Sequence, residues 1–460
     1  MRRSLKGAGP PNGNPIASAA TARCSGGAEE RLGYAMSIED DRPTYVPKPA
    51  AERRGVALCL SGGGFRAALF HLGAVRRLNE CGILSRVDTI SSVSGGSILA
   101  AHLANAVGAW PAAGDVVPDW EVRVAAPFRE FAQINLRTWL PLLGMVEQMF
   151  PIGMIRGAAE RRLADRYTRR LTRLRFSQLP DRPRFVFCAT DLVFGIYWAF
   201  DSRVDGRGRG RFGDYQAGHV HPAPDWFVAR AVTASSCFPP VFNPVPAGVA
   251  ARDLTQGRYQ DVNRDALVSQ INLGDGGIYD NLGLEPVWKD HAALLVSDGG
   301  SVFGPGPDQD LVSRVQRYSA IISEQGHAVR KRWLISNFIA GQMTGAYWGI
   351  GSTTSHYSPP GPGYSPRAVQ RIAAIRTDLD AFSSGECKIL ENHGYLLADA
   401  AVRAHLTTVF DVVASAPRVP HPEWFNPDLG GPDQFDERIS QELAASSKTS
   451  LLGRNWARFA

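Results

Sequence analysis

Two turns in this chain combine glycine and serine in a way that suits acyl transfer. Leu60-Ser61-Gly62-Gly63-Gly64 ends one apolar run, and Ser92-Val93-Ser94-Gly95-Gly96 ends the next. A glycine triplet lets the backbone bend sharply and turn its N–H groups toward an anion at the positive end of the following helix. The second turn is close to the G-x-S-x-G nucleophile elbow, with Ser92 in place of the first glycine. An oxyanion cradle beside an exposed serine predicts acyl-transfer chemistry.

A third motif supplies an acid or base. Asn272-Leu273-Gly274-Asp275-Gly276-Gly277 ends a short apolar run with an aspartate between glycines. Asp191 and Asp298 compete with Asp275, because both also follow strand-like runs, where α/β folds place functional groups. Asp298 even repeats the Asp-Gly-Gly sequence. The residues alone leave open the choice between the two Asp-Gly-Gly sequences, and Asp191 is interpreted as structural or pocket-lining.

The elements that must position these motifs alternate between strand and helix, which predicts an α/β fold with a largely parallel sheet. The predicted strands are Val56–Leu60, Thr89–Val93, Arg184–Ala189, Gln270–Leu273 and Ala292–Ser297. The predicted helices are Phe65–Cys81, Gly95–Val107, Gln309–Glu324, Gln370–Leu379 and a region within Glu386–Phe410. Each motif then lies at the end of a strand.

The three ordered motifs resemble those of the patatin-like phospholipases, and Phe65-Arg66-Ala67 is similar to the related cytosolic phospholipase A2 group. The run Thr233-Ala234-Ser235-Ser236-Cys237-Phe238-Pro239-Pro240 also resembles a segment of these families, and the similarity covers about residues 54–300. The resemblance implies a three-layer α/β fold with a largely parallel central sheet and a helical C-terminal extension. It implies hydrolysis of acyl esters of phospholipids or lysophospholipids.

The resemblance also implies the residue roles. Ser94 is the expected nucleophile and Asp275 the general base of a Ser-Asp dyad, with no histidine. The backbone N–H groups of Gly62, Gly63 and Gly64 are the expected oxyanion donors, and Arg66 is expected to hold a lipid phosphate or to brace the glycine loop. No cofactor and no metal are implied.

Several alternatives stay open from the residues alone. Ser94 could simply cap a helix. A Ser-Asp-His chain order could take its base from four histidines: His291, His327, His356 and His393. Gly62-x-Gly64-x-x-Ala67 after a strand also fits a dinucleotide fingerprint, although Asp88 lies at the start of the second strand and not at its end. A catalytically inactive membrane-binding module and a nucleotide-binding oxidoreductase are therefore the alternative functions.

Composition sets the domain and compartment expectations. The chain has 460 residues and a net charge of +6, carried mostly by arginine, which suits an anionic surface without requiring one. Six scattered cysteines indicate reduced thiols and not disulfides or a metal site. The expected organisation is a disordered tail at 1–50, a catalytic domain at 54–300, a helical extension at 301–415 packed on it, and a C-terminal tail at 416–460.

A basic and apolar stretch at 136–175 raises the question of membrane contact. Apolar residues between Leu136 and Ile155 precede eight arginines between Arg156 and Arg175, which fits a lid or interfacial segment. The alternative is a helix pair covering the core with a solvated arginine face. No apolar secretory signal is visible, so the expectation is a cytoplasmic protein with peripheral membrane contact or an effector secreted by another route. No nucleic-acid partner is expected, and Gly206–Arg211 is interpreted as a flexible surface loop.

Overall fold

The computed structural model describes residues 52–136, 158–238, 242–300, 311–425 and 432–447. The predicted tail at 1–50 lies outside the described residues. So do residues 137–157, which form the apolar half of the predicted lid or interfacial segment. None of the helices in the described part of the chain is long and apolar enough to cross a membrane.

A ten-stranded sheet forms the centre of the protein, with the strand order β10-β9-β1-β2-β3-β4-β5-β6 and with β8 pairing both β3 and β7. The five strands from β10 to β3 are mutually parallel, whereas β4, β5 and β6 continue the sheet as antiparallel neighbours. The strands are β1 (Val56–Leu60), β2 (Thr89–Val93), β3 (Arg184–Asp191), β4 (Ile196–Asp205), β5 (Gly208–Asp214), β6 (Gly218–Val220), β7 (Val245–Pro246), β8 (Asn272–Asp275), β9 (Ala293–Asp298) and β10 (Thr344–Gly349).

Helices cover both faces of this sheet. They are α1 (Gly64–Glu80), α2 (Gly95–Val107), α3 (Ala126–Ala132), α4 (Ala158–Arg170), α5 (Val228–Ser236), α6 (Arg264–Val268), α7 (Gly277–Asp280), α8 (Leu311–Ile339), α9 (Pro366–Ala373), α10 (Ser384–Ala401), α11 (Thr407–Phe410) and α12 (Pro432–Ser447). Alternate residues of β1 point to opposite faces, as the period of a strand requires. Leu58 and Leu60 join the large core that includes α1, α2 and α10, whereas Ala57 and Cys59 join a smaller core with Leu334 of α8.

The predicted fold class is confirmed: an α/β protein with a parallel central sheet, helices on both faces and a helical C-terminal region. The prediction missed five of the described strands: β4, β5, β6, β7 and β10. The interpretation of Gly206–Arg211 as a flexible loop is wrong for most of this segment. The segment lies in the β4–β5 hairpin, and Gly208–Arg211 belong to β5 of the sheet. Because β10 pairs with β9, the C-terminal extension contributes a strand to the sheet as well as helices.

One feature of the sheet positions the predicted site. β2 lies beside β3 up to the pair Val93–Cys188, and β8 then lies beside β3 from the pair Asp275–Ala189 onward. Since β4 occupies the other side of β3, the ends of β2 and β8 meet head-on along one side of the same strand. The residue after Val93 therefore lies next to Asp275.

Candidate active site

Ser94 lies on the sharp turn between β2 and α2. Its φ of 49° and ψ of −114° put a non-glycine residue in left-handed backbone space, a conformation that costs about 1–3 kcal/mol and is usual for functional turns. The side chain is 8% exposed at the start of α2, where the helix dipole favours negative charge. The local geometry is that of a nucleophile elbow, despite Ser92 in place of its first glycine.

Asp275 faces this serine. The Ser94 side chain lies close enough to the Asp275 carboxylate to lower its pKa, and the carboxylate Oδ1 accepts a hydrogen bond from the Gly277 amide at 2.7 Å. Burial nevertheless raises the pKa of Asp275 to about 6, because it outweighs both of these interactions. A carboxylate with such a pKa is poised to take a proton from a hydroxyl near neutral pH.

The glycine loop lies against the elbow. A Cβ on Gly62 would come within 3.2 Å of the Ser94 Cβ, and a Cβ on Gly95 would come within 2.1 Å of the Gly64 carbonyl oxygen. Gly63 and Gly64 adopt φ values of 136° and 58°, which strongly favour glycine. These close approaches explain why the loop and the elbow both consist of residues with small side chains.

The three glycines differ in what their amides do. The Gly62 amide donates to the Asn281 carbonyl at 3.1 Å. Among the described residues, no acceptor bonds the amides of Gly63 and Gly64, which stand at the N-terminus of α1. The oxyanion role predicted for all three glycines is therefore assigned below to Gly63 and Gly64.

Arg66 braces the loop. Its guanidinium is buried and donates to the carbonyls of Gly299, Ala373 and Ile375 through all three nitrogens, at 2.8 to 3.3 Å. Burial lowers the pKa of Arg66 to about 10. These contacts fit the bracing role. The guanidinium is buried against backbone carbonyls and is not exposed for contact with a lipid phosphate.

The competing carboxylates have other partners. Asp298 accepts from Tyr347 Oη at 2.7 Å and lies 3.0 Å from His327 Nε2, and its pKa is well below the usual range because these hydrogen bonds and the His327 charge outweigh burial. Asp191 closes its own turn by accepting from the Val193 and Phe194 amides. Neither carboxylate contacts Ser94 in the described residues.

The four candidate histidines are likewise engaged elsewhere or distant from Ser94 in the fold. His291 contacts Thr89 at the far end of β2, at 2.8 Å, and His327 pairs with Asp298. His393 contacts the Ile350 carbonyl at 2.8 Å inside the core, where burial lowers its pKa to about 4. His356 lies in a short helical turn on the surface. Within the described residues, the side chain beside Ser94 is a carboxylate.

Ser235 is a residue of this site whose role the sequence did not reveal. Its Oγ accepts from the Ser94 amide at 2.9 Å and donates to the Cys188 carbonyl at 2.6 Å. Its own carbonyl accepts from the Gly276 amide at 3.2 Å. One buried serine thus fixes the backbone of the elbow and the backbone beside Asp275. The run of small residues around it was the only signal in the sequence.

We expect Ser235→Ala to lower kcat on a water-soluble ester by about 10- to 100-fold, because displacement of reacting groups by an ångström costs rates of this order. KM should stay nearly constant, since Ser235 is buried behind the elbow. The matched control is Ser236→Ala, because the neighbouring hydroxyl bonds Val232 and Tyr167 and neither member of the proposed dyad. Equal kcat losses and equal thermal midpoints in the two variants would contradict a positioning role.

Comparison with known proteins decides the family. The patatin-like phospholipase family matches residues 58–288, which is half of the chain and includes all three motifs. The chain belongs to the patatin-like phospholipase family. No curated protein sequence matches this patatin-like chain closely enough to be reported as a relative.

Two solved structures show similarity to this patatin-like protein. The crystal structure of VipD from Legionella pneumophila matches with 14% sequence identity and a TM-score of 0.33, over 78% of this chain and 68% of VipD. Human GIVD cytosolic phospholipase A2 matches with 13% identity and a TM-score of 0.30, over 59% of this chain and 50% of that enzyme. The present chain therefore aligns with only half of the human enzyme.

Proposed function

We propose that this patatin-like protein is a serine hydrolase that cleaves fatty-acyl esters of phospholipids or lysophospholipids through a Ser94–Asp275 dyad. The observation that carries the proposal is that the Ser94 turn at the start of α2 lies beside both the buried Asp275 carboxylate and the glycine loop. Family membership supports lipid hydrolysis as the general activity.

In the first half of the proposed reaction, Ser94 Oγ attacks the ester carbonyl carbon while Asp275 takes the hydroxyl proton. The carbonyl oxygen becomes an oxyanion, and the amides of Gly63 and Gly64 stabilise it at the N-terminus of α1. The C–O bond to the alcohol then breaks, and the protonated Asp275 returns its proton to the departing oxygen. An acyl-enzyme ester on Ser94 remains.

The second half repeats these roles with water. Asp275 takes a proton from a water molecule, whose oxygen attacks the acyl-enzyme carbonyl. The intermediate collapses to a fatty acid, and Ser94 leaves as the alcohol with the proton that Asp275 held. No cofactor or metal enters this proposed sequence of steps.

A fluorophosphonate probe tests the proposal directly, because it forms a stable adduct with an activated serine. We expect peptide mapping to place the adduct on Ser94. No adduct under conditions that label a control esterase would contradict the proposal and would favour the inactive membrane-binding module.

The pH dependence of kcat/KM follows from Asp275. The base must be ionised, and its pKa is raised to about 6, so kcat/KM should fall as the pH drops through about 6. The expected slope below that point is about tenfold per pH unit on a water-soluble ester. A kcat/KM that stays constant down to about pH 4, where an ordinary aspartate titrates, would contradict this assignment.

Peripheral membrane contact is part of the proposed function, and the described half of the 136–175 segment allows one comparison. In α4, Leu163 and Tyr167 are buried in the core, and Arg161 and Arg162 are exposed. Arg166 donates to the Leu136 carbonyl at 2.8 Å. These contacts are those of a helix that covers the core with a solvated arginine face, the alternative considered for this segment.

A further inference from the structure

The N-terminal half of α8 extends beyond the edge of the sheet that carries the proposed active site. His327 of α8 contacts Asp298, the last residue of β9. The other end of the helix lies at the opposite edge of the sheet. Just after that end, the Gln342 carbonyl accepts a hydrogen bond from Arg53, which precedes β1. At about 1.5 Å per residue, the helix N-terminal to His327 therefore extends roughly 24 Å farther on the side of the sheet where Ser94 lies.

One part of this extension is exposed to solvent. Six consecutive residues, Tyr318-Ser319-Ala320-Ile321-Ile322-Ser323, are all exposed, so exposure covers every side of the helix and not one stripe. Tyr318 is 54% exposed and Ile322 is 74% exposed. We call these six residues the projecting segment. It carries no charge, which is unusual for a helical segment surrounded by water.

The inner face of the same helix contacts the neighbourhood of the proposed base. Arg330 stacks over the Tyr279 ring at 5.0 Å and lies 3.9 Å from Asp280, a few residues beyond Asp275. Exposed apolar side chains also lie near the end of β8, the strand that carries Asp275. The exposed side chains of Leu192 and Ile278 both cover Gly274. The exposed Phe238 follows Cys237, whose carbonyl accepts a hydrogen bond from the Asp275 amide. Exposed apolar side chains thus occur both near the end of β8 and on the projecting segment.

We propose that the projecting segment inserts into the interface of an anionic phospholipid bilayer and holds the active-site edge of the sheet against the membrane. Isoleucine and tyrosine suit the boundary between acyl chains and headgroups. Charge complementarity favours an anionic surface, since the chain has a net charge of +6 and α8 carries five arginine or lysine residues, one of them paired with Asp280, against the single acidic residue Glu324. The inference rests on the proposed function for its purpose, because membrane lipids are the substrates that this site would cleave.

The test measures co-sedimentation of the full chain with vesicles of phosphatidylcholine and phosphatidylglycerol. Replacing both Tyr318 and Ile322 by serine should weaken vesicle binding at least about tenfold, because each apolar side chain contributes to insertion. The matched control is Ile339→Ser, which changes an 83% exposed isoleucine at the other end of the same helix and should leave binding unchanged. Hydrolysis of vesicle lipid should fall with binding in the double variant, whereas hydrolysis of a water-soluble ester should not.

Four results would overturn the docking proposal: wild-type protein that does not bind the vesicles, equal binding by all variants, equal loss in the double variant and in Ile339→Ser, or loss only when Arg161 and Arg162 of α4 become glutamate. A concentration-dependent dimer that the double variant abolishes, without vesicle binding, would identify a second copy of the chain as the occupant instead. A separate measurement tests the proposed function. Absence of a fluorophosphonate adduct on Ser94 in lipid-free solution would refute the catalytic assignment, and the vesicle binding results would still decide the docking.

Discussion

Replacing Ser94 by alanine should abolish ester hydrolysis, with a loss of kcat of at least about 10⁴-fold, because the variant lacks the atom that forms the acyl-enzyme. The fold should tolerate the change, since the described hydrogen bonds that hold Ser94 in the elbow use its backbone: its amide donates to Ser235 Oγ and its carbonyl accepts from the Ile98 amide. The measurement is steady-state hydrolysis of a water-soluble ester and of phospholipid vesicles, together with the thermal midpoint of unfolding.

The control for this variant is Ser97→Ala. Ser97 lies one turn into α2, is fully buried and bonds Ser92 and Ser235, so it tests the loss of a buried hydroxyl near the elbow. We expect Ser97→Ala to cost some stability, about 1 kcal/mol, and to keep measurable turnover. Turnover by Ser94→Ala comparable with that of Ser97→Ala would remove Ser94 from the mechanism.

Replacing Asp275 by asparagine should lower kcat by about 10³-fold or more, because an amide cannot accept the serine proton at neutral pH. Asparagine keeps the size of the side chain and an oxygen for the Gly277 amide, so the Gly276-Gly277 turn should persist. Labelling of Ser94 by the fluorophosphonate should slow in parallel with turnover, since both require an activated hydroxyl. The kcat/KM of the variant should also lack the fall below about pH 6 that we expect for the wild type.

The matched control is Asp298→Asn, which changes the same residue type in the second Asp-Gly-Gly sequence. Asp298 bonds His327 and Tyr347 at the end of β9, so its loss should reduce stability by about 1–3 kcal/mol. Activity on a water-soluble ester should stay within about tenfold of the wild type after correction for folded protein. The reverse pattern, with activity lost in Asp298→Asn and kept in Asp275→Asn, would assign the base to Asp298.

The motifs were predictable because each depends on local backbone requirements. A glycine triplet and a serine between small residues are needed where the chain turns sharply, and those requirements are visible in a few consecutive residues. The helix Gly95–Val107 and the strands β1 and β2 are confirmed to the residue. Apolar runs that end at glycine define such elements clearly.

The missed elements depend on contacts between distant parts of the chain. β5, with the sequence Gly-Arg-Gly-Arg-Phe-Gly-Asp, has almost no apolar alternation, and it is a strand because β4 and β6 pair with it on both sides. The sequence left two possible roles for Arg66. The carbonyls that accept its hydrogen bonds belong to Gly299, Ala373 and Ile375, which are far from it in the chain. Ser235 had no visible role, since its partners lie on three separate segments.

The head-on meeting of β2 and β8 along β3 has a consequence for how such a protein can change over evolution. Nucleophile and base are both positioned by the register of a single strand, so the loops of the long connection between them can change in length while β3 keeps its pairing and α5 keeps Ser235 in place. A shift of one residue in that pairing would instead turn Asp275 to the opposite face of the sheet. Within this fold, the length of the intervening chain can therefore vary to suit new substrates, whereas the ladder along β3 cannot slip without the loss of the dyad.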